Sequence, residues 1–482
     1  MKRLAIIGGG ITGLSAAWYA CREFTRLGIN ASCTLFEASD RLGGKIVTER
    51  TGGFVIEGGP DSFLAEKPAA LELCRELGLQ DEILPSNEQY RRVYILRRGR
   101  LVPFPEGFRL TIPTRWMPLL ATPLLSPFGK LRMAAEVFIP PRKDPEDESL
   151  ASFIRRRFGN ECLERIAGPL LGGIFVSDPE RLSMQATFPR LLEMERTYGS
   201  LIRAARAASA KRPQNGPLAD RVNRAHRALF HSLRNGIAGI VEALERHIEA
   251  GVIRRTQVHR VIPSGRSLRV ETEAGEAFLA DAAILAIPAN RAAEIVRESA
   301  NGLAEKLERI RFVSSAVVTL AYRADAIPAA RPLDGFGVLV PDAEGRAILA
   351  ITWSSTKFAN RAPPGAALMR VFLGGPRHEG LAWQSEEDLV QIARTEVASI
   401  LGIRASPLFH RLHRWIEANP QYDVGHSTLV KAIESEGRSL TGLFFAGSSY
   451  HGVGIPDCIE SAKRAVLGVL QYWRDQSDES SG

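Results

Sequence analysis

Leu4-Ala5-Ile6-Ile7-Gly8-Gly9-Gly10-Ile11-Thr12-Gly13, with the small residues Ser15-Ala16-Ala17 behind it, is the stretch that decides the fold. Four apolar residues in a row read as a buried parallel strand. The Gly-x-Gly-x-x-Gly turn then opens a helix. Gly8 permits the tight turn, Gly10 lets backbone approach a pyrophosphate, and Gly13 allows helix and strand to pack closely. The helix N-terminus adds free N–H groups and a partial positive charge. Ala31 to Phe36 reads as the next strand and runs into Glu37. A carboxylate at that point accepts hydrogen bonds from ribose hydroxyls and repels a 2′-phosphate. The whole is one βαβ unit built for a dinucleotide.

Working outward, Arg41-Leu-Gly43-Gly44-Lys45 follows directly. This second glycine turn brings an arginine and another backbone segment toward the same pyrophosphate, as in flavoproteins that bind FAD extended, and so favours FAD over NAD. Near the other end, Gly447 closes an apolar strand, and Gly452-Val453-Gly454-Ile455-Pro456-Asp457 opens a helix. Proline suits the first helical turn and aspartate suits the N-terminal charge. The same helix end suits the N1–C2=O edge of a flavin, where negative charge develops on reduction.

The 482 residues are 45% hydrophobic and 24% charged, with a formal net charge of +8. These values exclude a disordered chain, a collagen-like fibre and a disulfide scaffold. The mild basicity fits an anionic substrate, a membrane surface or nucleic acid equally. The cysteines (Cys21, Cys33, Cys74, Cys162, Cys458) are odd in number and widely spaced, so the sequence writes no metal site or redox pair, and a reducing compartment is expected. The first strand starts at Leu4 with no signal peptide before it, and no apolar run of membrane-spanning length occurs. A cytoplasmic protein, peripheral to the membrane at most, is the expectation.

Residues 66–79 pattern as a helix, and 149–206 as helices interrupted at Gly168-Pro169 and Gly172-Gly173. Residues 101–141 carry eight prolines among Phe, Leu, Trp and Met. That composition predicts either a surface for the membrane interface or a partner enzyme, or a lining for the substrate cavity. Residues 203–234 hold eight basic residues and one acid, Asp220, around a Pro/Gly/Asn loop. No aromatics interleave with the arginines at 203–227, so no nucleic-acid partner is expected. A helix over about 237–250 precedes a hairpin, 267–273 with 277–281. Strands at 315–323, 335–341, 347–354 and 367–374 then predict a second, mostly antiparallel sheet. Residues 475–482 read as a frayed polar tail.

Four strings carry a resemblance: Glu57-Gly-Gly-Pro-Asp-Ser-Phe63, Met184 to Phe188, Arg414-Trp-x-x-x-x-Pro-Gln-Tyr-x-Val-Gly-His426, and Ala446-Gly-x-x-Tyr-x-Gly-Val-Gly-Ile-Pro-Asp-Cys458. In order and over nearly the whole chain, they resemble the oxygen-dependent porphyrinogen oxidases, in particular the soluble bacterial branch that acts on coproporphyrinogen III. The resemblance implies an amine-oxidase-like α/β flavoprotein of two domains: an FAD-binding Rossmann-like domain, a substrate domain with a mixed or antiparallel sheet, and a helical insert. The expected division is 1–88, 231–295 and 437–482 for FAD, 89–103 and 296–436 for substrate, and 104–230 for the insert.

The resemblance also implies site residues. Gly8, Gly10, Gly13, Glu37, Arg41, Gly43 and Gly44 match the FAD-binding front end. Gly59 and Pro60 match the segment beside the flavin, Val258 the residue at the adenine, and Gly447, Val453, Gly454 and Ile455 the turn at the isoalloxazine. Ser448 stands where many wider relatives place an acid. Lys67, Ile174 and Phe175 match positions near the macrocycle, and Arg91 or Arg92 matches a propionate clamp on the strand 90–94. The implied chemistry is a six-electron oxidation in heme biosynthesis. Hydride passes from a bridge carbon to the flavin, a pyrrole proton is lost, and O2 is reduced to H2O2. It requires no acid–base pair; His426 is the one candidate proton relay. Protoporphyrinogen IX is the other substrate of the family. Another amine or polyene oxidase of the same fold, or a flavin-containing porphyrin carrier, are the competing readings, and neither substrate nor oligomeric state is fixed by these strings.

Overall fold

A Cβ on Gly13 would lie 1.8 Å from the carbonyl oxygen of Gly8. Helix and turn therefore touch backbone to backbone, and the rest of the fold is laid around that contact. The computed structural model describes residues 1–210, 228–440 and 442–479. The elements that position the site are, in chain order, β1 (Lys2–Ile7), α1 (Ile11–Leu27), β2 (Ala31–Phe36), β3 (Val93–Arg97), β4 (Arg100–Pro103), α2 (Leu150–Phe158), β5 (Gly251–Ile253), β6 (Ala282–Leu285), β7 (Phe312–Arg323), β8 (Gly337–Leu339), β9 (Ile348–Thr352), β10 (Ala366–Gly374), β11 (Phe409–Pro420), α3 (His426–Ser439), β12 (Leu443–Phe445) and α4 (Ile455–Glu479).

Three distant stretches of chain build one parallel sheet, ordered β5-β2-β1-β6-β12. Leu4 pairs with Cys33 on one side and Ala282 on the other. Being covered on both faces, the sheet is apolar at its centre, at Leu4–Ile7 of β1 and throughout β6 and β12. α1 and α4 cover one face, with Phe24 against Trp473 at 5.6 Å between ring centroids. The 289–296 helix and an antiparallel three-stranded sheet (Val258–Ser264, Ser267–Thr272, Ala277–Ala280) belong to the core on the other face. α1 stops at Gly28, whose φ of +64° lets the chain turn left-handed.

The second sheet has seven strands, ordered β11-β7-β10-β9-β8-β3-β4. Every pair in it is antiparallel except β8 with β3. The helices between residues 116 and 210 bury a core of their own, including Phe153, Ile154 and Phe158 of α2. At its centre Arg157 and Glu136 form a fully buried ion pair, and Glu136 also accepts from Ser200 Oγ and the Leu201 amide.

Several sequence expectations change. Gly168-Pro169 and Gly172-Gly173 do not interrupt the helical run. A π-helix spans Leu163–Gly172 and continues into Gly173–Phe175, because a wider turn tolerates the missing proline N–H. The 66–79 helix is shorter, Pro68–Glu76, since Pro68 can only open it and Gly78 is left-handed. The 237–250 helix is Gly239–His247, ended by the strand that begins at Gly251. Residues 475–479 are not frayed but continue α4. The 90–94 strand begins at Val93: residues 88–90 form a 3₁₀ turn, which leaves Arg91 and Arg92 outside the sheet. β11 is a twelve-residue strand that the reading missed; its His and Arg residues dilute the apolar run that marks the other strands. Most of the basic loop, 211–227, lies outside the described residues.

Candidate functional site

Between the two sheets lies a cavity of about 870 Å³. Gly8 and Gly10 form one edge. Gly10 caps α1 with no side-chain hydrogen bond, so the first N–H groups of the helix have no side-chain acceptor at the turn. A Cβ on Gly10 would meet no protein atom within 4 Å. That open space beside free donors suits a pyrophosphate. The second glycine turn is locked to the first: Gly10 and Gly43 form a parallel bridge, and the Gly43 amide donates to the Gly9 carbonyl at 2.8 Å. Glu37 lines the cavity and accepts from the Gly9 amide at 2.7 Å and from the Ser39 amide and hydroxyl at 2.8 and 2.7 Å. A carboxylate has about four acceptor sites, so one is left for a ribose hydroxyl.

Gly43, Gly44, Gly59, Pro60, Val258, Gly447, Ser448, Val453, Gly454, Ile455, Ile174 and Phe175 all line the same cavity. The structure thus brings together most of the residues singled out in the sequence. Gly13 lies beneath the turn. Arg41 turns away from the cavity and braces its own loop, donating to the carbonyls of Gly44 at 2.6 Å and of Leu42 and Ile46 at 3.3 Å.

Three cationic candidates are elsewhere. Arg91 and Arg92 are exposed and paired with Glu88 and Asp334, because both precede the strand and point to solvent. Lys67 is half exposed, and its ammonium contacts both Asp457 oxygens, at 2.6 and 2.7 Å. Asp457 in turn accepts from the Gly454 amide, so this pair closes the first turn of α4. Among the described residues, none of 101–141 lines the cavity. The helices there pack on the insert's own core, which removes the cavity-lining reading of that segment.

His426 does not face the cavity either. It is buried, stacked on Tyr422 at 3.9 Å and 12°, with Nε2 3.1 Å from the Tyr450 carbonyl. Burial pushes its imidazole down to about 4, so it is neutral at pH 7 and structural rather than a relay. Its partner has the larger role. The Tyr422 hydroxyl donates to the Ser448 carbonyl at 2.7 Å and accepts from the Gly452 amide at 2.8 Å. One side chain thus clamps both limbs of the cavity-lining turn.

Sequence reasoning also missed Lys45, Arg370, Trp415 and Asn419. Lys45 lies just past the second glycine turn and donates to the Ala418 carbonyl; burial lowers its ammonium below the ordinary lysine value. Trp415 Nε1 donates to the Gly58 carbonyl at 3.0 Å, and Arg370 donates to the Gly59 carbonyl. The available signal was a charged residue inside the apolar run of β10.

The profile of the flavin-containing amine oxidoreductases matches residues 11–470. The chain belongs to that family. FAD is its cofactor, and the free donors at Gly10 and the spare valence of Glu37 fit it. The chain is similar to the coproporphyrinogen III oxidase of Bacillus subtilis (strain 168), 34% identical over 98% of both chains. It is also similar to that of Propionibacterium freudenreichii subsp. freudenreichii, 34% identical over 97% of this chain and 90% of the other. Protoporphyrinogen oxidase 1 of Arabidopsis thaliana chloroplasts is 29% identical over 97% of this chain and 88% of its own. Within the family the chain therefore stands with the porphyrinogen oxidases. A crystal structure from Exiguobacterium sp. 255-15 superposes with a TM-score of 0.85 at 31% identity, covering 97% of this chain and 98% of that one. Reduced UDP-galactopyranose mutase, at 16% identity and a TM-score of 0.70 over 98% and 96% of the two chains, shares the fold alone.

Removing the Tyr422 hydroxyl frees a carbonyl and an amide on the cavity-lining turn, at about 1–3 kcal/mol for an unmade bond. Tyr422→Phe is expected to release FAD at least several-fold faster, read by the return of flavin fluorescence on dilution. An unchanged release rate would reduce Tyr422 to packing.

Since His426 is neutral when folded and titrates near 6.5 when unfolded, the unfolded chain binds more protons between those values. Stability is whole above pH 6.5 and falls as pH drops toward 4, by up to about 3 kcal/mol. In chemical denaturation at stepped pH, His426→Gln should flatten that window; an identical slope would clear His426 of it.

Proposed function

We propose that this protein oxidises coproporphyrinogen III, ahead of protoporphyrinogen IX, to the porphyrin in heme biosynthesis. The observation that carries the reading is one cavity that joins the glycine turns for FAD to an apolar wall of Ile174, Phe175, Val317 and Phe372. A flat, largely apolar macrocycle suits that wall. FAD, when bound, supplies the hydride acceptor and, through its reoxidation by O2, the route to H2O2. The protein's own residues do the rest. Gly8, Gly10, Gly43 and Gly44 hold backbone against the cofactor, and Tyr422 and Asp457 fix the turn Gly447–Ile455. Phe175 and Ile174 offer apolar surface to the macrocycle. The carboxylates lining the cavity, Glu37 and Glu294, both come from the parallel-sheet side. None comes from the seven-stranded sheet, so the pyrrole proton leaves to solvent. Positioning in a dry cavity is the main contribution.

Lys67 reaches a propionate only by sharing its ammonium with Asp457. Adding coproporphyrinogen III under air should give porphyrin fluorescence and peroxide, with a higher kcat/KM than for protoporphyrinogen IX. Absence of turnover on both, with yellow protein in hand, rejects the reading. Lys67→Ala should raise KM a few-fold for the tetra-propionate substrate and spare kcat, because a partly exposed ion pair contributes only about 0.3–1 kcal/mol and does so equally in ground and transition states. Lost kcat at constant KM would move Lys67 into the chemistry.

The 116–138 segment supports a peripheral contact with a membrane interface. Trp116, Met117, Leu120, Phe128, Leu131 and Phe138 are exposed there, and no described helix is long and apolar enough to cross a membrane. Co-flotation with anionic vesicles at low and moderate salt is the expected result, lost in Phe128→Ser/Phe138→Ser; no flotation at either salt removes the contact.

A further inference from the structure

Behind the cavity wall lies a buried cluster of five charged side chains with unequal signs. Asp61 contacts Lys357 Nζ through both oxygens at 3.0 Å and reaches Arg370 at 3.6 Å. Arg361 lies 3.9 Å from Glu57. All five residues are buried or nearly so, and Arg370 is only 3% exposed. Two acids face three bases. Burial alone would raise the Asp61 carboxyl, but Lys357 and Arg370 outweigh it and hold it well below the usual carboxylate range. Burial raises Glu57, which subtracts negative charge if anything. Lys357 satisfies Asp61 at the shorter distance, so Arg370 is the surplus cation, and the nearby His413 ring is driven toward neutrality by burial and by Arg370.

Arg370 also lines the cavity. Its Nε has no hydrogen-bond partner, nor has Oγ1 of the fully buried Thr319 directly across the β7–β10 ladder. A buried charge is costly unless opposite charge meets it. Arg370 has only a shared carboxylate, Asp61 at 3.6 Å, which Lys357 holds more closely, so an anionic occupant of the cavity would complete its pairing.

We propose that Arg370 is a fixed positive charge of the cavity wall, stabilising the negative charge that the bound flavin ring acquires on reduction. The inference rests on FAD being the cofactor. Arg370 is tied to the carbonyl of Gly59, and a Cβ on Gly59 would lie 1.9 Å from the Lys45 carbonyl oxygen. The guanidinium is therefore anchored to the backbone layer that carries the second glycine turn. Ile174 and Phe175, which match macrocycle positions, come from the helical insert instead. A preorganised cation in a water-poor wall is worth most where charge develops during the reaction, and its anchoring costs no reorganisation then. Oxidised flavin is neutral in the ring and the two-electron reduced ring is anionic, so Arg370 favours the reduced state.

The test uses the holoenzyme with sulfite, which adds to the flavin ring and leaves it with the charge of the reduced form. Arg370→Met and Arg370→Gln should each raise the sulfite dissociation constant at least tenfold. The flavin potential against a reference dye should fall in step, about 30 mV per tenfold for a two-electron couple. Arg370→Lys, which keeps the charge, should recover most of both. Unchanged sulfite affinity and potential in flavin-replete Arg370→Met or Arg370→Gln overturns the proposal. So does a loss confined to binding of coproporphyrin III over its tetramethyl ester, which would make Arg370 a carboxylate receptor. Wild-type protein that holds no flavin would instead defeat the cofactor reading, a distinct outcome visible before any titration.

Discussion

The contact between Gly13 and the Gly8 carbonyl is the constraint on which the rest depends. With no side chain at either position, α1 starts against the end of β1, and its uncapped N-terminus faces the cavity. Any larger residue at 13 would push the helix away by more than an ångström and with it the free amides. The neighbouring glycines repeat the device: Gly9 has Glu37 and Leu42 where a side chain would be, and Gly59 has the Lys45 carbonyl. The glycine turns are thus held by close approaches that leave no room for a side chain, to backbone at Gly13 and Gly59 and to the Glu37 and Leu42 side chains at Gly9.

That arrangement explains what could be read in advance. A glycine turn, a strand-terminal acid and a helix-opening Gly-Ile-Pro-Asp are local; their meaning is contained in neighbours a few residues away. The parallel sheet, the antiparallel hairpins and the turn residues at Gly447–Ile455 were legible on that ground. Arg41 was misread because a local motif states that an arginine is near, not which carbonyls it will choose. Arg91 and Arg92 were misread by a shift of strand boundary, and the role of His426 by ignoring Tyr422, which sits four residues earlier and stacks on it.

What was invisible depends on register between segments far apart in sequence. Arg370 meets Gly59 across 311 residues, Trp415 meets Gly58 across 357, and Lys45 meets Ala418 across 373. No spacing rule connects such pairs. Only the oddity of an arginine in Ala-Ala-Leu-Met-Arg-Val-Phe-Leu-Gly, a strand otherwise apolar, marked one of them. A buried strand charge requires a partner, and finding it required the fold.

These three donors share a feature that bears on how the halves of the site work together. Each joins the seven-stranded sheet to a glycine segment, Arg370 and Trp415 donating from its strands to Gly59 and Gly58 and Lys45 donating to Ala418 of β11, and each acceptor lies on cavity-lining backbone or beside it. A side-chain acceptor could rotate away; a carbonyl held in a glycine segment or at the end of β11 cannot. The seven-stranded sheet and the glycine segments that line the cavity are therefore tied to each other at Gly58, Gly59 and Ala418. Ile174 and Phe175 reach the same cavity from the helical segment 163–175 and make none of these three bonds, so substitutions there leave the ties between the sheet and the glycine segments in place.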